Sequence, residues 1–216
     1  MAGITLYPLL GTLLREWKSL LEIGQALVAQ LMRSRQQQGI YEILDYETTL
    51  ELNATGKTAH FLKRQKVRFL QDHVISFQDR AWGDGEIFAD YQCAPGIVAD
   101  RYQIDDRWNI LISLRETKSR GDIEEFFIQA TYKDSYLADE EWQQVEIRHQ
   151  TCRLKMTVIF PKRRHCRRAV LHERRRNRTT VLAESHFSDL PDGRQALSWE
   201  TRRIIQYEVY TLRWRW

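Results

Sequence analysis

Apolar residues recur at alternating steps of four and three through residues 6–31. Leu6, Leu10, Leu13, Trp17, Leu20, Gly24, Leu27 and Leu31 form the a/d seam of a heptad pattern, and only Gly24 is not large and apolar. Leu14, Leu21 and Val28 add a flanking row, so the stripe is wider than a two-stranded seam requires. Pro8 suits a first helical turn, where its missing N–H costs nothing, and Gly39 suits the position just past the end. The pattern predicts one long amphipathic N-terminal helix within residues 1–38, about 45 Å long from residue 8 onward. That length outruns the face of one small domain. The stripe residues Leu6, Leu10, Leu13, Trp17, Leu20, Leu27 and Leu31 are therefore expected to bind a partner, either another protein or a second copy of the chain.

Past Gly39 the period falls to two, the mark of half-buried strands. Leu44, Tyr46, Leu50 and Leu52 alternate with Asp45, Glu47, Thr49 and Glu51, and a turn over residues 53–56 returns the chain into a strand over 61–70. Asp84-Gly85 reads as a two-residue hairpin turn. Further inward rows are Trp108, Ile110, Ile112 and Leu114, then Phe126, Ile128, Ala130 and Tyr132, then Leu154, Met156, Val158 and Phe160. Pro191-Asp192-Gly193 is a turn leading to Leu197 and Trp199.

Near the end the apolar parity slips. Ile205, Tyr207 and Val209 are odd, whereas Tyr210, Leu212, Trp214 and Trp216 are even, which asks for a bulge or bend between Val209 and Tyr210. A similar slip separates Val145 and Ile147 from Leu154 and Met156, as strands crossing a sandwich corner would show. Ten to twelve strands and no second helix predict a mainly β fold. The expectation is an antiparallel β-sandwich or barrel over residues 39–216, behind the helix of residues 1–38.

Composition supports a globular chain, with 43% apolar and 29% charged residues among 216, and only 4 Pro leave little room for a flexible linker. Cys93, Cys152 and Cys166 are odd in number and follow no disulfide spacing. With no basic lead-in before the first apolar stretch, this points to a reducing, cytoplasmic setting without a membrane span.

Charge changes the picture more. The net +4 hides a tract over residues 162–178 that holds nine Lys or Arg against Glu173 alone, so the tract carries +8 and the other residues −4. Its members Lys162, Arg163, Arg164, Arg167, Arg168, Arg174, Arg175, Arg176 and Arg178 are candidate anion-binding residues, because a planar guanidinium suits phosphate and carboxylate. The competing expectation is that acids on the strand faces, such as Glu47, Glu51, Glu124 and Glu125, neutralise them internally.

Catalytic signals are thin. Asp106 with Glu116 and Lys118 matches the carboxylate and E-x-K set of metal-dependent nucleases only at three common residues, and the strand that follows replaces the helix such sites place there. His149, Cys152, His165, Cys166 and His172 are zinc-ligand types without a finger or knuckle spacing. Asp79, Asp84, Glu86 and Asp90, and separately Asp100, Asp105 and Asp106, cluster on loops as calcium ligands do, but in no EF-hand order. No Gly-rich phosphate loop and no G-x-S-x-G setting is present. The sequence therefore favours a non-catalytic interaction module without cofactor or metal. A phosphate-backbone-binding protein is the second reading, and a metal-dependent hydrolase the third.

Overall fold

A computed structural model describes residues 39–216, except 83–85 and 105–106, with only the backbone of residues 86–89. The predicted helix and its seven partner-binding residues lie outside the described residues, as do Asp84-Gly85, Asp105 and Asp106.

Fourteen strands follow one another among the described residues. They are β1 (Tyr41–Leu52), β2 (Thr58–Phe69), β3 (Val74–Ala81), β4 (Glu86–Ala94), β5 (Ile97–Ile104), β6 (Arg107–Lys118), β7 (Ile123–Lys133), β8 (Glu140–Glu146), β9 (Leu154–Phe160), β10 (Arg168–Glu173), β11 (Arg178–Val181), β12 (Phe187–Asp189), β13 (Gln195–Thr201) and β14 (Val209–Arg215). A single 3-10 turn, Glu184–His186, interrupts them. The expected β fold is there, but it is built from three sheets.

The largest sheet has seven strands in the order β12-β13-β9-β1-β2-β7-β4. A four-stranded sheet (β11-β10-β14-β8) and a three-stranded sheet (β3-β6-β5) cover its apolar face. Ring contacts mark the two covered ends. Phe160 of β9 meets Trp214 of β14 edge to face at 5.9 Å, and Phe126 of β7 stacks on Phe77 of β3 at 4.0 Å. The two small sheets thus share one core with the large one, and a seam runs between them.

The inward rows carry this core as their parity predicts. Leu154, Met156, Val158 and Phe160 are all fully buried, as are Phe126, Ile112 and Leu197. One pair is parallel, β1 against β9, so the large sheet is mixed and not purely antiparallel.

Several local expectations need correction. A register shift between Ile43 and Asp45 puts a bulge at Leu44, which is only half-buried, and the inward row continues as Tyr46, Thr48, Leu50 and Leu52. The strands flanking Asp84-Gly85 do not pair with each other: β3 joins β6 and β4 joins β7, because each finds a longer ladder in a different sheet. The slip near Val209 is no bulge. Residues 206–207 form a turn in which Tyr207 has φ of 65°, and β14 begins only after it. The earlier slip is likewise a passage between sheets, since β8 belongs to the four-stranded one and β9 to the seven-stranded one.

Candidate functional site

The basic tract begins where Pro161 ends β9, and its first half forms the loop that carries the chain from the large sheet into β10 of the small one. A turn closes there through Arg164 N–H to the Pro161 carbonyl at 3.0 Å, and the Arg167 N–H donates to the Arg215 carbonyl at 2.7 Å. Pairing of β10 with β14 sets Arg168 opposite Arg215, and β8 adds Glu140 to that row. The result is a groove of about 910 Å³ lined by Arg163, Arg164, His165, Cys166, Arg167, Arg168, Arg215 and Trp216, with Asp139 and Glu140 at one side. Five guanidinium groups against two carboxylates leave a local charge of +3.

Trp216 is the groove's fixed wall. Its indole N–H donates to the Ala138 carbonyl at 2.9 Å, and the Arg164 guanidinium lies 3.7 Å from the ring centre. Arg215 is held by Glu140 at 2.8 Å. In contrast, Lys162, Arg163, Arg167 and Arg168 are exposed and form no ion pair among the described residues.

The second half of the tract lies at the far end of β10 and has a different task. Arg176 and Arg178 pair with the buried Glu173, the first at 2.9 Å. The Arg175 N–H donates at 2.7 Å to Glu208, a fully buried carboxylate, and its guanidinium donates to the Gln206 carbonyl. A buried carboxylate without cationic partners is costly, so Arg176 and Arg178 serve stability at Glu173, whereas Arg175 meets Glu208 through its main-chain N–H alone. The nine predicted residues are therefore two clusters on opposite ends of a six-residue strand, not one ridge.

Nor do the acidic strand faces neutralise the groove. Glu47 is shared by Arg64 and Arg153, Glu125 pairs with Arg64, Glu51 with Arg194 and Glu124 with Lys118. The acids expected to quench the tract are already spent on other cations.

The seam between the small sheets is polar, and sequence reading missed it. Lys63 of β2 and Asp79 of β3 are each only 4% exposed and meet at 2.6 Å. The Lys63 ammonium also donates to the Arg80 carbonyl at 3.1 Å, and the Tyr91 hydroxyl donates to the other Asp79 oxygen at 2.8 Å. Burial alone would depress the Lys63 pKa, but Asp79 and the nearby Tyr46 more than offset it and hold it above its ordinary value. Arg107 of β6 reaches Glu146 of β8 at 2.8 Å and ties the two small sheets together across the seam.

Beside this pair is a pocket of about 60 Å³ lined by Tyr46, Thr48, Phe61, Lys63, Tyr132, Gln143 and neighbours. Thr48 is 1% exposed and Gln143 6%, and neither the Thr48 hydroxyl nor either atom of the Gln143 amide has a hydrogen-bond partner among the described residues. An unpaired buried amide costs about 1–3 kcal/mol. The signal was present in the alternation: Thr48, Lys63, Gln65, Asp79, Glu141 and Gln143 are polar residues at inward-parity positions.

The remaining candidates do not converge. Lys118 sits 2.7 Å from Glu124 and 3.6 Å from Glu116, whose side chain is solvent-exposed. Asp79, grouped in sequence with loop carboxylates, is instead the buried partner of Lys63. No group of three or more His, Cys, Asp or Glu among the described residues is placed to hold a metal ion. Cys152 is exposed, and burial pushes the Cys166 thiol up to about 11. His172 contacts Thr179 at 3.0 Å. Among the described residues no helix is long and apolar enough to cross a membrane.

His149 stacks on Tyr41 at 4.2 Å, and burial followed by repulsion from Arg80 and Arg148 pushes its pKa down to about 4. Its folded pKa thus lies below the unfolded value of about 6.5, so the unfolded chain takes up the proton first. Stability is expected to fall as pH drops from about 6.5 to about 4, and His149→Gln should flatten that part of a Tm-against-pH profile. An unchanged slope would place the acid sensitivity elsewhere.

No protein-family model and no curated protein matches the chain. Among solved structures, an M1 zinc metallopeptidase from Deinococcus radiodurans is 9% identical with a TM-score of 0.49, over 80% of this chain and 42% of that one. A two-domain M1 zinc metallopeptidase variant bound to L-tryptophan is 10% identical with a TM-score of 0.49, over 81% and 43%. The chain spans less than half the length of these proteins, and likeness at this level transfers no residue role.

Proposed function

We propose that this chain is an interaction module in which a β-rich domain docks onto proteins through two elements. One is the groove at the start of β10, which takes an acidic segment of the partner. The other is the N-terminal stripe from Leu6 to Leu31, which docks or self-associates as its heptad spacing suggests. The observation that supports the groove most is that Arg163, Arg167 and Arg168 form no ion pair among the described residues, while Glu140 is held by Arg215 and the strand-face acids by other cations. Three exposed guanidinium groups beside a fixed aromatic wall suit carboxylates presented close together.

Phosphate-backbone binding is the alternative, and the division of the tract weakens it. Nine contacts would change affinity for a duplex by about 10⁵-fold between 50 and 200 mM salt, whereas three or four contacts give only about 40- to 150-fold. The test compares a labelled hexaglutamate peptide with a 20-base-pair duplex, using the full chain and an R163E/R167E/R168E variant. Peptide binding at low salt that the variant loses, with feeble duplex binding, supports the reading. Duplex binding tighter than peptide binding, with a steep salt slope, transfers the groove to nucleic acid. Binding of neither probe overturns the groove as a docking site. For the stripe, replacing Leu13, Leu20 and Leu27 with Glu is expected to lower the mass measured by sedimentation, and a mass already monomeric and unchanged removes the self-association arm.

A further inference from the structure

The seam pocket differs from the groove in kind, because it is small, aromatic-walled and internally neutral. One wall is the inner face of the large sheet, with Tyr46 and Thr48 on β1 and Lys63 on β2; the opposite wall is β8, with Gln143 turned inward. Its formal charges balance, Lys63 and Arg80 against Asp79 and Glu141: Lys63 pairs with Asp79, while Arg80 donates to the neutral Asn109 amide at 3.0 Å and Glu141 accepts from the Ala138 N–H at 2.7 Å. What remains on offer is a set of buried neutral atoms without a hydrogen-bond partner among the described residues: the Thr48 hydroxyl and both ends of the Gln143 amide.

We propose that this pocket binds a small neutral carboxamide. A primary amide pairs head to head with Gln143, its carbonyl accepting from Nε2–H while its own N–H donates to Oε1. Thr48, which both donates and accepts, satisfies a further position of the same group. The flat faces of Tyr46, Phe61 and Tyr132 suit a planar guest. Other ligand classes fit worse. A carboxylate would meet the Gln143 Oε1 lone pairs with no N–H to offer them, and a hydrocarbon would leave all three polar atoms unpaired. Size agrees as well. About 60 Å³ holds roughly four to six water-sized groups, which is the size of acetamide or propionamide. The exposed Trp142 and half-buried Ser135 also line the pocket, so it communicates with the surface. So few atoms cap the affinity near tens of micromolar.

Saturation-transfer NMR on the full chain, with acetamide, propionamide, acetate and 1-propanol as probes, tests the assignment. The two amides are expected to give signals that compete with each other, with Kd between tens of micromolar and a few millimolar, and the other two probes to give none. Gln143→Leu is expected to weaken amide binding at least tenfold. It should also raise Tm by about 2–12 °C, because it removes an unpaired buried amide, and that rise separates lost binding from lost folding. Thr48→Val serves as the second variant should Gln143→Leu not fold. The R163E/R167E/R168E variant should keep amide binding, which distinguishes this site from the groove. Equal signals from acetate or 1-propanol, no amide signal, or amide signals unchanged in both pocket variants would overturn the proposal.

Discussion

Asp79→Ala is expected to destabilise the domain by about 3–5 kcal/mol, a large share of the 5–15 kcal/mol typical of a folded domain. The variant strands the Lys63 ammonium at a site only 4% exposed, with the Arg80 carbonyl as its remaining acceptor. It also leaves the Tyr91 hydroxyl without the carboxylate oxygen it donates to at 2.8 Å. With Asp79 gone, burial pulls the Lys63 pKa down, so part of the cost is taken as loss of its proton. Replacing both partners, Lys63→Met with Asp79→Leu, is expected to cost far less than Asp79→Ala alone, since no charge is left buried. Urea unfolding of the two single variants and the double variant gives the coupling directly. A double variant as unstable as Asp79→Ala would mean that the seam needs these groups for packing and not for charge balance.

That pair also shows what period-two reading misses. Rows of uniform apolar residues were legible, and Leu154 to Phe160 proved fully buried at every expected position. The parity rule reports which face a residue occupies, not whether that face is apolar. Lys63 and Gln65 lie between Phe61 and Val67 on the same inward row, and only the seam between two covering sheets explains why polar groups belong there. Sheet partners were not legible either. Asp84-Gly85 has hairpin chemistry, yet β3 and β4 each find their ladder in another sheet, because pairing is decided by the long-range fit of whole strands. The basic tract was visible as composition. Its division into a free groove and a second cluster around the buried Glu173 was not, since that division depends on which face of the small sheet each arginine reaches.

Trp214→Ala should remove the other principal support, the contact that seats the four-stranded sheet on the large one. Trp214 is 1% exposed and packs edge to face on Phe160 at 5.9 Å and against Tyr136 at 6.1 Å. Truncating a buried tryptophan costs about 3–5 kcal/mol through lost contact and the cavity left behind. For a domain of this size that lowers Tm by about 6–20 °C. The indole N–H has no acceptor among the described residues, so part of the packing gain is already offset by an unpaired donor. Trp214→Phe removes that donor and keeps most of the ring, so it should cost markedly less than the alanine change. Trp142, on the same sheet but 38% exposed, provides the control: its alanine variant is expected to shift Tm by only a degree or two. If Trp142→Ala proves as damaging as Trp214→Ala, the stability of this sheet resides at its β8 edge beside the seam, and not in its contact with Phe160.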